Sequence, residues 1–241
     1  MKNFFFFFLF ILAIGIIAFL GYSGFLSGTA KIFGADKPRD LEVIFNADSL
    51  ESANNKTKVR LENSFEILAI PEGISVFGSH PVSTVFTSEE LTSLFGNSKW
   101  VYYPFSDVQI KINDDGTIEI SGILLTGRIN GFIMATGGLK EKVPWFIKKL
   151  EWPFFNPPFY FRGTLGIENN KVNLVIDQAM LGKFTLPARL VKKYRQPLEN
   201  FITERISFLE GLFVFTLSFS DAGMDFSGEL PNRIIFLSSF Q

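Results

Sequence analysis

The sequence predicts an α+β protein: an N-terminal transmembrane helix, then a twisted antiparallel sheet of hairpins wrapped around a long amphipathic helix. Three observations predict it. Residues 4–20 are an unbroken apolar run. Three strand-like pairs with turn residues between them follow later in the chain. Residues 187–209 carry apolar side chains at helical spacing.

The apolar run begins after Lys2 and Asn3, and no charge falls between Lys2 and Lys31. Roughly 23 helical residues reach about 35 Å, enough for a hydrocarbon core of ~30 Å. Residues 1–30 therefore read as a transmembrane anchor. The alternative is a cleaved signal, with Lys2 as its basic start and Gly28-Thr29-Ala30 as a small-residue cleavage site. The positive charges flanking the run are nearly tied: Lys2 on one side, and Lys31, Lys37 and Arg39 diluted by Asp36 and Asp40 on the other. The segment before the run is too short to hold a domain, so the bulk of the chain is expected after it, single-pass and extracytoplasmic.

Residues 31–63 read as a tether, with a short apolar stretch at 41–45 that would add a strand. Residues 64–241 read as one α+β domain. Within 84–96, Thr87 and Glu90 have capping-box spacing, Leu91, Leu94 and Phe95 share a face, and Gly96 suits a helix stop. Val108, Ile110 and Ile112 alternate with polar residues, Asp114-Asp115-Gly116 turns, and Ile118 and Ile120 return. A second pair runs over 159–167, turns at 168–171 and returns through Val172, Leu174 and Ile176. A third runs over 213–219, turns at Asp221-Ala222-Gly223 and returns through Met224 and Phe226. Residues 116–124 and 223–230 echo each other through Ser121-Gly122 and Ser227-Gly228. Either the domain has two related halves, or Ser-Gly marks a β-bulge twice.

In 187–209, Leu190, Val191, Tyr194, Leu198, Phe201, Ile202 and Leu209 fall on one helical face. Pro187 suits a first turn, and Pro197 should kink or split the helix. Leu190, Tyr194, Phe201 and Ile202 are the candidate lining of an apolar groove between helix and sheet.

Residues 139–161 interleave aromatic and basic side chains. Trp145, Phe146, Lys148, Lys149, Trp152, Phe154 and Phe155 are the candidate membrane-contact set, because indole rings favour headgroup depth and ammonium groups meet lipid phosphate. The competing explanation is a loop whose aromatics dock on the sheet and whose lysines are solvated.

The net charge of −1 argues against a general nucleic-acid binder. The 30 Phe fit either AT-rich coding bias or an unusually apolar interior, which are compatible. With no Cys and a single His, His80, no disulfide and no His/Cys zinc cluster can form. No Gly-x-Ser-x-Gly elbow or phosphate-binding Gly-x4-Gly-Lys loop occurs. Glu89/Glu90 and Asp114/Asp115 sit at a helix start and a turn tip, which explains them without catalysis. No cofactor is expected. A hydrolase using only carboxylates from distant segments is the remaining enzymatic alternative.

Leu181-Gly182-Lys183-Phe184-Thr185-Leu186-Pro187, running from a strand end into the long helix, resembles a pattern of small bacterial membrane-anchored proteins of the YpmS-like kind. Thr87-Ser88-Glu89-Glu90-Leu91 and the strand from Gly116 to Gly122 are similar in order. More broadly the arrangement resembles tubular lipid-binding (TULIP-like) domains, over about residues 84–230. The Trp-rich stretch has no place in that pattern. The resemblance implies an anchored extracytoplasmic domain that binds acyl chains, and brings no catalytic residues. The expected activity is non-catalytic binding of lipid or another apolar ligand. The alternative is an envelope scaffold with a filled core that acts through contacts with envelope proteins.

Overall fold

The computed structural model describes residues 2–64, 73–96, 98–136 and 156–237, with side chains from Phe8 onward. It is a mixed α+β structure built on a strongly curled antiparallel sheet. The three expected hairpins form its centre: β4 (Phe105–Ile112) with β5 (Ile118–Leu124), β6 (Pro158–Glu168) with β7 (Lys171–Leu181), and β9 (Phe213–Ser220) with β10 (Gly223–Leu230). The β6–β7 turn places Asn169 and Asn170 at positive φ, as a tight hairpin of right-handed twist requires.

β6 explains the curl. One edge pairs with β7 along nearly its whole length. Its other edge pairs with β5 over residues 158–163 and then with β9 at Ile167 and Glu168. The sheet therefore forks along β6, and its two wings curl around one interior. β7 has a register shift where Gly163 meets Ile176, and a Cβ on Gly163 would collide with the Val175 carbonyl. The echoed Ser-Gly pairs also sit at irregularities: β4 shifts register between Ser106 and Gln109 opposite Gly122, and the β9–β10 ladder shifts at Ser227/Gly228. The bulge explanation accounts for both.

β3 (His80–Phe86) adds to β10 at the sheet's end, where Pro81 is tolerated because an edge strand has one unpaired side. His80 opens this strand. After it, α4 (Ser88–Gly96) forms with the full capping box: the Glu90 N–H donates to Thr87 Oγ1 at 3.3 Å, and the Thr87 N–H donates to Glu90 Oε2 at 2.9 Å. The interior is filled by Val82, Phe86, Leu91, Val108, Ile110, Ile167, Val172, Leu174, Val214, Met224 and Phe226. The long helix α6 (numbered after the short α5, Ile129–Ala135) spans Ala188–Phe208 and contributes Leu198, Ile202 and Ile206 to this core. Of the kink or split expected at Pro197, the split does not occur: α6 runs through it. The bond it removes falls at the carbonyl of Lys193, an exposed residue, where solvent can serve instead.

Residues 31–63, read as a tether, are folded onto the domain. Leu41 and Val43 are buried against Tyr160, and the Leu41 N–H donates to Gln109 Oε1 at 2.7 Å, without forming a strand. Asn46 caps α3 (Ala47–Thr57), which packs on α4. β1 (Arg60–Ser64) pairs in parallel with β11 (Arg233–Leu237), which pairs antiparallel with β2 (Ile74–Phe77), giving a separate three-stranded sheet.

The N-terminal run is helical, α1 (Lys2–Tyr22), followed by α2 (Ser27–Phe33). Among the described residues no single helix is long and apolar enough to cross a membrane. Phe8–Tyr22 and Ser27–Phe33, bent by 75°, satisfy length and composition together. The end of α1 is locked to the sheet. The Lys183 N–H donates to Tyr22 O at 2.9 Å, Phe19 meets Phe184 edge-on with centroids 5.2 Å apart, and Ser23 is buried.

Candidate functional site

The open edge of β7 organises the site. The N–H groups of Val172 and Leu174 point away from β6, and burial would leave them costly without acceptors. α6 supplies both. Glu199 Oε1 accepts from the Leu174 N–H at 2.9 Å, and Thr203 Oγ1 accepts from the Val172 N–H at 3.1 Å. The match is geometric. Strand residues two apart are separated by ~6.6 Å, and helix residues four apart by ~6 Å. Glu199 is buried, and Arg195, one turn earlier, lies 3.7 Å from its carboxylate.

Upstream this stripe continues through Arg195 and Val191, while β7 continues toward its end, and the two elements leave a cleft of about 720 Å3 between them. Val175, Ile176, Leu186, Pro187, Ala188 and Val191 give it apolar walls. Lys192, Arg195, Gln196, Asp177, Gln178 and Thr185 supply its polar groups. The short strand β8 (Phe184–Thr185) closes one end by pairing with Met180 and Leu181, and the Leu186 N–H donates to Ala179 O at 2.8 Å. The preceding turn residue, Gly182, has φ +54, and a Cβ there would collide with the Ser23 backbone. The cleft therefore begins within a few residues of the place where α1 joins the sheet.

None of the four expected groove residues lines this cleft. Ile202 lies in the main core. Phe201 packs with Ile129 and Ile133 of α5. Tyr194 is half-buried with the Lys193 ammonium 5.3 Å from its ring centre, and Leu190 is exposed. The reason is physical: the stripe facing an open strand edge must offer acceptors, so it carries Glu199 and Thr203, with Arg195 paired to Glu199 one turn earlier, while the apolar stripe faces the core. The signal that could have found the cleft was this polar i, i+4 series beside a hairpin strand.

The candidate membrane-contact residues Trp145, Phe146, Lys148, Lys149, Trp152, Phe154 and Phe155 lie outside the described residues. Their flanks are described. Arg205 Nη1 donates to Thr136 O at 3.0 Å, fixing the chain where it leaves α5. It returns at Pro157 and Pro158, both buried, with Pro158 beside Gly24 at the end of α1.

Two ionisable clusters lie elsewhere. Burial pushes the Glu90 carboxyl up, but bonds from Lys56, Ser52 and the Thr87 N–H outweigh this and hold it below its ordinary value. Burial also pushes Glu119 up, but the Tyr160 O–H, which donates to it at 2.6 Å, Asn113, and the charges of Arg39 and Arg162 together hold it below its ordinary value. Burial and then the Glu119 carboxylate push Tyr160 up to about 12. Each cluster ties separate elements together. Among the described residues no three His, Asp or Glu side chains converge as a metal site.

No family model, curated protein or solved structure matches the chain.

Proposed function

We propose that this is a single-pass membrane-anchored, extracytoplasmic, non-catalytic domain that binds an anionic amphiphile, a lipid or fatty acid, in the cleft between β7 and α6. The observation that carries the proposal is the composition of that cleft. Apolar walls suit an acyl chain, and Lys192 and Arg195 suit an anionic head. Its volume falls in the ~300–1,000 Å3 range of small-molecule sites. Burying about eight methylenes would contribute roughly 6 kcal/mol before ordering costs.

Three further points support the membrane setting. From Phe8 to Phe19, α1 exposes large apolar side chains around its circumference, as a lipid-facing helix does. Both the cleft and the return of the aromatic-basic segment lie beside the end of α1. We extend the proposal to that segment, with Trp145 and Trp152 at the bilayer interface, and to the finer architecture of a curled sheet partly wrapping α6, in keeping with the resemblance to tubular lipid-binding domains.

The test is binding of a fluorescent long-chain fatty acid to the full chain in neutral-lipid nanodiscs. Val191→Trp fills the cleft and Lys192→Glu reverses its head-binding charge. Each should weaken binding tenfold or more with the circular dichroism spectrum preserved. Wild-type affinity in both variants would overturn the proposal.

A second reading, an envelope scaffold acting through protein contacts, is favoured by one observation. Phe213 and Phe215 project from the same face of β9 with ring centres 5.0 Å apart, and both are exposed. Under that reading Phe215→Ser, not Val191→Trp, abolishes function.

A further inference from the structure

A second cleft, of about 770 Å3, opens beside the three-stranded sheet and takes no part in the lipid-binding proposal. The parallel pairing of β1 with β11 sets Arg60 directly opposite Arg233, so both side chains leave the same face of the sheet about 5 Å apart at their backbones. Like charges facing each other across a ladder repel. Lys58 also lines the cleft. Among the described residues the only carboxylate lining it is Glu62, whose Oε2 is 3.8 Å from Arg233 in a solvent-exposed pair. Among the described residues neither the Lys58 nor the Arg60 side chain has an ion-pair partner. Among the described residues, then, three basic side chains face one carboxylate.

The backbone beneath these cations is braced. The His80 ring bonds Thr57 O through Nε2 and the Asn232 side chain through Nδ1, both at 2.9 Å. It thereby links the residue preceding Lys58 to the residue preceding Arg233. The Arg60 N–H donates to Asn232 O at 3.0 Å. The Arg233 guanidinium lies over the Phe77 ring, 4.6 Å from its centre, and its exposed pair with Glu62 at 3.8 Å is longer than a hydrogen bond, so its N–H groups keep donor capacity for an oxyanion.

We propose that this cleft binds a phosphate-bearing anion, with Arg60 and Arg233 gripping the phosphate oxygens and Lys58 adding charge at the rim. Two forked guanidiniums on one face match a tetrahedral anion of charge near −2, which a single carboxylate does not satisfy. The volume leaves room for an organic group attached to the phosphate. The site shares no residue with the β7–α6 cleft, so either proposal can fail alone.

The test is calorimetric titration of the full chain in zwitterionic nanodiscs with inorganic pyrophosphate. Saturable one-to-one binding is expected. Arg60→Gln and Arg233→Gln should each weaken it at least tenfold, since a charge-assisted bond of this kind is worth about that factor. Glu62→Gln should tighten it. Repeating the titration in nanodiscs carrying an anionic phospholipid identifies the source of the phosphate. Weaker pyrophosphate binding there means that lipid headgroups compete for the site, and equal binding means a soluble ligand. No saturable binding in zwitterionic discs, or wild-type binding by both Arg variants, would overturn the proposal.

Discussion

Glu199→Ala tests how α6 is held on the sheet, and through it how the cleft is shaped. The substitution leaves the Leu174 N–H without an acceptor beneath the helix, where the Glu199 side chain now excludes water. Hydrogen bonds to a charged group contribute about 1.5–3 kcal/mol, and an abandoned buried donor costs about the same. The Arg195 pair adds only a few tenths of a kcal/mol, because Arg195 is half exposed. The expected loss is therefore about 2–3 kcal/mol. For a chain of 241 residues this lowers the melting temperature by roughly 4–12 °C. Glu199→Gln keeps a carbonyl acceptor at the same position and should lose less than about 1 kcal/mol. The assay is thermal and urea unfolding of the full chain in nanodiscs, with amide hydrogen exchange read at Leu174. That amide should be protected in the wild type and in Glu199→Gln, and exchange faster in Glu199→Ala. Equal destabilisation by both substitutions would refute the acceptor argument, as would an unchanged Leu174 exchange rate in Glu199→Ala.

Four further outcomes are expected. The folded Glu90 carboxyl lies below its unfolded value, so its contribution to stability is present above about pH 4.5 and is lost as pH falls through the lower folded value. Lys56→Met should remove much of that acid sensitivity and cost about 2 kcal/mol at neutral pH, measured by urea unfolding across pH. Tyr160 is raised, so its contribution is complete below about pH 10 and is lost as pH rises toward about 12; Tyr160→Phe should flatten that alkaline limb. Gly182→Ala combines a left-handed φ with a collision at Ser23, so it should loosen α1 from the sheet and speed proteolysis around residues 23–26. Brominated lipid in the nanodisc should quench most tryptophan emission. In Trp145→Phe/Trp152→Phe the remaining Trp100, buried and donating to Gly73 O, should be unquenched. Quenching that persists in the double variant would remove the interfacial assignment.

The hairpins and α4 were legible because their signals are local. Alternation, a turn and a capping box within about ten residues specify each one, and the backbone bonds follow. The boundaries of α6 were legible for the same reason. The contribution of residues 31–63 was not, because α3 is polar and its attachment runs through Ser52 and Lys56 to Glu90, a charged contact that no apolar periodicity announces. β1, reading Arg-Leu-Glu-Asn-Ser, has no buried face and is a strand only because β11 arrives from the far end of the chain to pair with it. The candidate groove failed on a similar point. Apolar residues on α6 were assigned to ligand, whereas Ile202 and Phe201 were needed for packing and the cleft took the polar stripe through Arg195. A sequence period shows which residues share a face, but the partner of that face is set by topology.

The proposed amphiphile in the β7–α6 cleft would travel with the protein on purification. The most direct test is native mass spectrometry of the full chain extracted from its own membranes in polymer-bounded nanodiscs, beside Val191→Trp handled identically. One anionic acyl lipid or fatty acid should stay on each wild-type chain after the disc is stripped, and none on the variant. A wild-type chain that emerges at its bare mass, or a variant that keeps the same adduct, would contradict it.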